Sequence, residues 1–97
     1  MPAEWVTEAG APCLRLWGAV DIFDAATVAA GARQAVAAGV DVTASLEAAE
    51  SVDTSVTQVL IALRRALEPS GRALRLGAPP ALATIWRQAG LAGELGL

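Results

Sequence analysis

No histidine and no lysine occur in the 97 residues, and cysteine occurs once. Those absences remove most nucleophilic catalysis by inventory. A Ser-His-Asp triad, a Cys-His pair, a Ser-Lys dyad and Schiff-base chemistry each need a base or amine that this chain does not possess. Metal binding fares no better, because one thiol and no imidazole leave only carboxylates. The ten acidic residues are dispersed, without the dense Asp/Asn/Gly loop of a calcium site. Phosphate-binding glycine motifs are missing too. The expectation is a chain that is not an enzyme and uses no metal or cofactor. Cys13 can form no internal disulfide, and its apolar neighbours Leu14, Leu16 and Trp17 predict burial as a small hydrophobe. No stretch reaches the roughly 18 to 20 consecutive apolar residues that span a bilayer. Nor does a basic segment followed by a long apolar run open the chain, so a cytoplasmic protein without membrane insertion is expected.

Positive charge is scarce as well. Seven arginines against ten acids give a net charge of −3, and only Arg64 and Arg65 are adjacent. A mildly acidic chain lacks the basic surface that drives binding to a phosphate backbone, which argues against a nucleic-acid partner. The arginine pair is read as a solvated face near a helix C-terminus, where cations oppose the negative end of the helix dipole.

Apolar side chains are what the sequence has in quantity, at 55% against 18% charged. That supports one core without disulfides, and hence a single domain over residues 1–97. Much of the apolar fraction is alanine, which buries little area. The core is therefore expected to rest on the leucines, the valines, Ile22, Phe23, Ile61, Ile85 and the tryptophans.

Glu4-Trp5-Val6-Thr7 and the alternating run through Leu14, Leu16 and Gly18 predict two strands joined by a short turn at Gly10-Ala11-Pro12. From Asp24 as N-cap, Val28, Ala29, Ala32 and Val36 recur at helical spacing until Gly39, predicting a helix over 24–38. Val40 to Leu46 alternates strictly and predicts a strand, followed by a polar stretch from Glu47 to Asp53. Val56, Val59, Leu60, Leu63 and Leu67 predict a helix over 56–68, ended by Pro69 and Gly71. Ala73, Leu74 and Leu76 give a short strand. Pro80 then opens a helix over 80–89, with Leu82, Ile85, Trp86 and Ala89 on one stripe and Trp86 at least partly buried. Gly90 should close it in a left-handed cap that returns Leu91 onto Trp86. Strands alternating with helices predict an α/β fold: a mixed four- to five-stranded sheet, right-handed crossovers, and helices mainly on one face.

The stretch from Val52 to Gln58 is the one place where chemistry could concentrate. Ser55 and Gln58 have the spacing of a capping box, and that alone is a helix start. In this register Thr54 lies just before the cap, exposed, at the positive end of the helix dipole. A phosphate there would be favoured by free N–H groups and opposed by Asp53.

Gly18-Ala19-Val20-Asp21 resembles the Gly-x-x-Asp turn after the second strand of STAS domains, named for sulphate transporters and anti-sigma factor antagonists. Asp53-Thr54-Ser55 resembles the Asp-Ser/Thr-Ser/Thr/Ala step before their second helix. Gly77 through Ala81, with Ala89-Gly90-Leu91, resembles their last strand, Pro-initiated helix and Gly-Leu end. The resemblance implies a regulatory module that binds a histidine-kinase-like protein and is phosphorylated at Thr54, with Asp21, Asp53, Ser55 and Gln58 on the same binding surface. Gln58 leading into Val59 to Arg65 looks like the single-domain STAS proteins that accompany chemotaxis-type kinases. The alternative it implies is a non-switching subunit of an ABC-type lipid transporter, bound to its ATPase.

Overall fold

The computed structural model describes residues 2–97. Its elements run β1 (Ala3–Glu8), β2 (Ala11–Val20), a 3₁₀ turn (Ile22–Asp24), α1 (Ala25–Ala38), β3 (Val42–Val52), α2 (Thr54–Leu67), a second 3₁₀ turn (Glu68–Ser70), β4 (Leu74–Gly77) and α3 (Pro80–Gln88). The four strands form one sheet in the order β1-β2-β3-β4. The first pair is antiparallel, and β2-β3 and β3-β4 are parallel.

The two N-terminal strands meet in a tighter turn than expected. Glu8 pairs directly with Ala11, so Ala9 and Gly10 alone make the turn, at φ 50° and 78°. Both central residues are left-handed, as the right-handed twist of a hairpin requires. Pro12 thus lies inside β2, opposite Thr7 and one residue ahead of the β2-β3 pairing that starts at Cys13. There its missing N–H breaks no ladder bond to β3.

Period-two alternation puts one face of the sheet inward. Leu14 and Leu16 of β2, Val42, Ala44 and Leu46 of β3, and Leu74 of β4 join a single buried cluster with Val28 and Ala32 of α1, Val56, Leu60, Leu63 and Leu67 of α2, and Leu82 and Trp86 of α3. All three helices therefore cover the same face, while Arg15, Trp17, Thr43 and Arg75 on the other are exposed. Cys13 points to that open face yet is buried, and burial pushes its thiol pKa up, away from the reactive thiolate. Trp86 is buried, and Gly90 at φ 77° lets the Leu91 N–H reach back 2.8 Å to the Trp86 carbonyl. Among the described residues no helix is long and apolar enough to cross a membrane.

Four expectations need correction. The third strand runs to Val52 rather than stopping at Leu46, because a register shift against β2 breaks the alternation and Ala49, not Ala48, is the next buried residue. Ile22, Phe23, Ile85 and Trp17 are not core residues: they are 60%, 84%, 59% and 40% exposed. Asp24 does not cap α1 with its side chain; its carboxylate accepts the Asp21 N–H at 2.9 Å instead. Arg64 and Arg65 are not simply solvated. Arg64 donates to the carbonyls of Gly93 and Glu94, and Arg65 pairs with the Glu94 carboxylate, so both tether the C-terminal turn whose Leu95 is fully buried.

Trp5 explains a glycine in the middle of α1. Its indole N–H donates to the Thr27 carbonyl at 3.2 Å, and the ring lies where a Cβ on Gly31 would be. Gly31→Ala should therefore destabilise the protein by roughly 1–3 kcal/mol through overpacking. Helix propensity taken alone predicts the opposite, a gain of about 1 kcal/mol. Urea unfolding of the variant decides between the two signs.

Candidate functional site

Parallel pairing brings the candidate residues together. Val20 lies opposite Val52, so β2 and β3 end side by side, and the Asp53 N–H donates to the Val20 carbonyl at 2.8 Å. The chain then leaves β2 through Asp21 and leaves β3 through Asp53, both exposed at the carboxyl edge of the sheet. Crevices outside the carboxyl ends of parallel strands are the usual ligand positions in open α/β sheets.

Asp53, not Ser55, starts the second helix. Its backbone is extended at φ −62° and ψ 149°, and its carbonyl accepts the N–H groups of Val56 and Thr57 at 3.1 Å. One carboxylate oxygen accepts both the Ser55 N–H at 2.9 Å and the Ser55 hydroxyl at 2.5 Å. The Ser55–Gln58 capping box is thus replaced: Ser55 donates where it was expected to accept. Asp and Ser serve equally well as N-caps, and the bond from Asp53 to Val20 fixes the extended conformation two residues earlier. The hydroxyl and amide of Ser55 hold the Asp53 carboxyl below its ordinary pKa. Thr57, buried, donates its hydroxyl back to the Asp53 carbonyl at 3.4 Å.

Thr54 is consequently the first helical residue rather than the one before the cap. It is exposed, and its hydroxyl makes no hydrogen bond among the described residues. Gln58, also exposed, lies one turn along α2, on the face it shares with Thr54. Asp21, Asp53, Thr54 and Ser55 are therefore gathered at one edge, with Gln58 extending the surface along the helix. Asp21 accepts the Phe23 N–H at 2.9 Å and Asp24 accepts the Asp21 N–H, a reciprocal box that fixes the 3₁₀ turn against α2. Ile22 and Phe23 were missed as surface residues, because hydrophobicity alone assigns them inward. The Asp-x-x-Asp spacing of 21 and 24 was the available signal. No cluster of three or more His, Cys, Asp or Glu that could hold a metal occurs among the described residues.

Asp53→Ala should cost about 0.5–2 kcal/mol, and Ser55→Ala less, because only the first removes the cap acceptor. The pH dependence has a definite sign. The folded pKa of Asp53 is lowered, so its charge-dependent contribution is complete above the unfolded value of about 3.9 and is lost as pH falls through the lower folded value. The stability difference between wild type and Asp53→Asn should be flat from pH 7 to about 5 and change only in stronger acid. Denaturant unfolding across that range measures it.

No curated protein matches the sequence. Among solved structures, SpoIIAA, an anti-sigma factor antagonist, in its unphosphorylated form gives a TM-score of 0.74 at 17% identity, covering 88% of this chain and 81% of its own. The phosphorylated form of the Bacillus cell fate determinant SpoIIAA gives 0.73 at 19% identity, with 94% and 86% covered. A Thermotoga maritima protein proposed as an anti-sigma factor antagonist gives 0.76 at 14% identity, with 94% and 80% covered. These likenesses show the fold. The family model described as Mlab, STAS domain matches residues 6–97, and the chain belongs to the STAS domain family.

Proposed function

We propose that the chain is a regulatory protein-binding module of the cytoplasm. Its carboxyl-edge surface, formed by Asp21, Asp53, Thr54, Ser55 and Gln58, docks a histidine-kinase-like ATPase, and phosphorylation of Thr54 switches that docking. The observation that carries the reading is the placement of Thr54: first residue of α2, exposed, its hydroxyl unengaged among the described residues, beside the exposed carboxylate of Asp53. Support also comes from SpoIIAA, which shares the fold and is known in both unphosphorylated and phosphorylated forms.

The chemistry belongs to the partner, and this chain is its substrate. The Thr54 hydroxyl oxygen attacks the γ-phosphorus of ATP held by the partner. The bond from that phosphorus to the β–γ bridging oxygen breaks, ADP leaves, and the hydroxyl proton passes to a base. The product carries nearly two added charges next to Asp53, on a surface that must lose water to dock.

A second reading is a non-switching subunit that binds the ATPase of an ABC-type lipid transporter. The observation in its favour is the Mlab description of the matching family. In that case Thr54 contacts the ATPase and stays unmodified.

Calorimetric titration with the partner separates the readings. Stoichiometric phosphorylation of Thr54 should weaken binding by about tenfold to a hundredfold, equivalent to about 1–3 kcal/mol. Thr54→Glu should do the same in part, and Thr54→Ala should keep binding and lose the switch, with circular dichroism unchanged in all variants. Equal affinity of phosphorylated and unphosphorylated protein removes the switch and leaves the transporter subunit.

A further inference from the structure

We propose that the Ile22–Phe23 turn is the apolar anchor of this docking surface, and that it takes a protein partner whose apolar pocket is rimmed by basic side chains. The proposal rests on the docking reading above and names the chemistry of the partner. Phe23 is the only phenylalanine of the chain and is 84% exposed, and Ile22 beside it is 60% exposed. A chain so rich in alanine leaves its one phenylalanine outside the core, although that side chain offers more apolar area than most of those it buries.

Nothing about the turn is loose. The Asp21 carboxylate holds the Phe23 N–H, the Asp24 carboxylate holds the Asp21 N–H, and Asp24 is itself buried. The backbone carrying the ring is therefore fixed before a partner arrives, which reduces the ordering that binding must pay for. Rigid aromatic side chains in desolvated pockets are the usual energetic centres of protein interfaces.

Charge identifies the rim. Asp21 adjoins the exposed pair directly, and Asp53 lies across the β2-β3 ends from it, both exposed. The ion pairs among the described residues join Arg15 to Glu8, Arg64 to Glu68 and Arg65 to Glu94, and none reaches Asp21 or Asp53. An apolar pair flanked by two unneutralised carboxylates is complementary to a pocket edged with arginine or lysine. Thr54 lies on the same rim, so a phosphate there weakens docking only where its bulk and the cost of stripping its water outweigh its attraction to the basic side chains.

The probe is the ATPase that wild-type protein retains from a lysate of its host, purified and titrated by calorimetry at two or more salt concentrations. Phe23→Ala should weaken binding by about tenfold to a hundredfold with an unchanged thermal midpoint. Arg75→Ala, on the open sheet face, should bind as wild type. Asp21→Asn keeps an oxygen to accept the Phe23 N–H while removing the charge, and should bind more weakly with a shallower salt dependence. Wild-type affinity in Phe23→Ala overturns the anchor, and wild-type salt dependence in Asp21→Asn overturns the basic rim. Sedimentation of the chain alone supplies a further check: dimers that Phe23→Ala abolishes would make a second copy the occupant and overturn the proposal. Loss of binding in Phe23→Ala with none on Thr54 phosphorylation removes the switch and keeps the anchor. Loss on phosphorylation with none in Phe23→Ala does the reverse.

Discussion

The parallel pairing of β2 with β3, closed by the Asp53 N–H on the Val20 carbonyl, determines where everything else can be. It fixes the start of α2, because Asp53 must stay extended to make that bond and the helix can begin only after it. It also sets Asp21 across from Asp53. A one-residue slip of β3 against β2 would turn Val42, Ala44 and Leu46 away from the helices, so the buried face and the carboxyl-edge surface are specified by the same register. Two register shifts sit in this pairing, between Arg15 and Trp17 and between Gly18 and Ala19. The second shift leaves Glu50 of β3 without a partner, and Gly18 beside it on β2 is left-handed at φ 63°. Any side chain there would strain the strand that carries Asp21.

The helical layer has a different character from that edge. Between α1 and α2 runs a groove lined by Ala29, Ala32, Val36, Val59, Ala62, Leu63 and Ala66, with Arg33 its one charged residue. Small side chains let the two helices and the sheet approach closely, but they contribute little buried area each. The larger leucines and Trp86 carry the core, and the arginine tether on Glu94 and the neighbouring carbonyls closes it at Leu95. The exposed Ile22 and Phe23 are therefore not residues that the core could not hold. Two carboxylates hold their backbone in an exposed turn.

Much of the fold was legible because it is written locally. The alternation of Leu14 with Leu16, the helical spacing from Val28 to Val36 and the Pro80-to-Gly90 segment each carry their own signal, and each forms the expected element. What sequence could not show depends on contacts made at a distance. The end of β3 is hidden because a bulge breaks its period at Ala48 and Ala49. Asp53 and Ser55 are equally good caps, and only the neighbouring strand chooses between them. Trp5 forbids a side chain at Gly31, and Glu94 captures Arg65, across 26 and 29 positions of chain respectively. The candidate residues themselves were found by resemblance in order and spacing. That Asp21 and the Asp53–Ser55 step share one edge follows from the parallel pairing, while the outward aromatic beside them was read as core.

Docking at the carboxyl edge leaves two other conspicuous surfaces idle: the open sheet face around Trp17 and the alanine-lined groove between α1 and α2. Amide hydrogen exchange of the chain, free and saturated with the ATPase that we propose as its partner, tests this most directly. Docking there should add protection at Asp21 to Asp24 and at Asp53 to Gln58, with β1 and the outer faces of α1 unchanged. Protection confined to the groove or to the open sheet face, with the carboxyl edge exchanging as in the free protein, would contradict it.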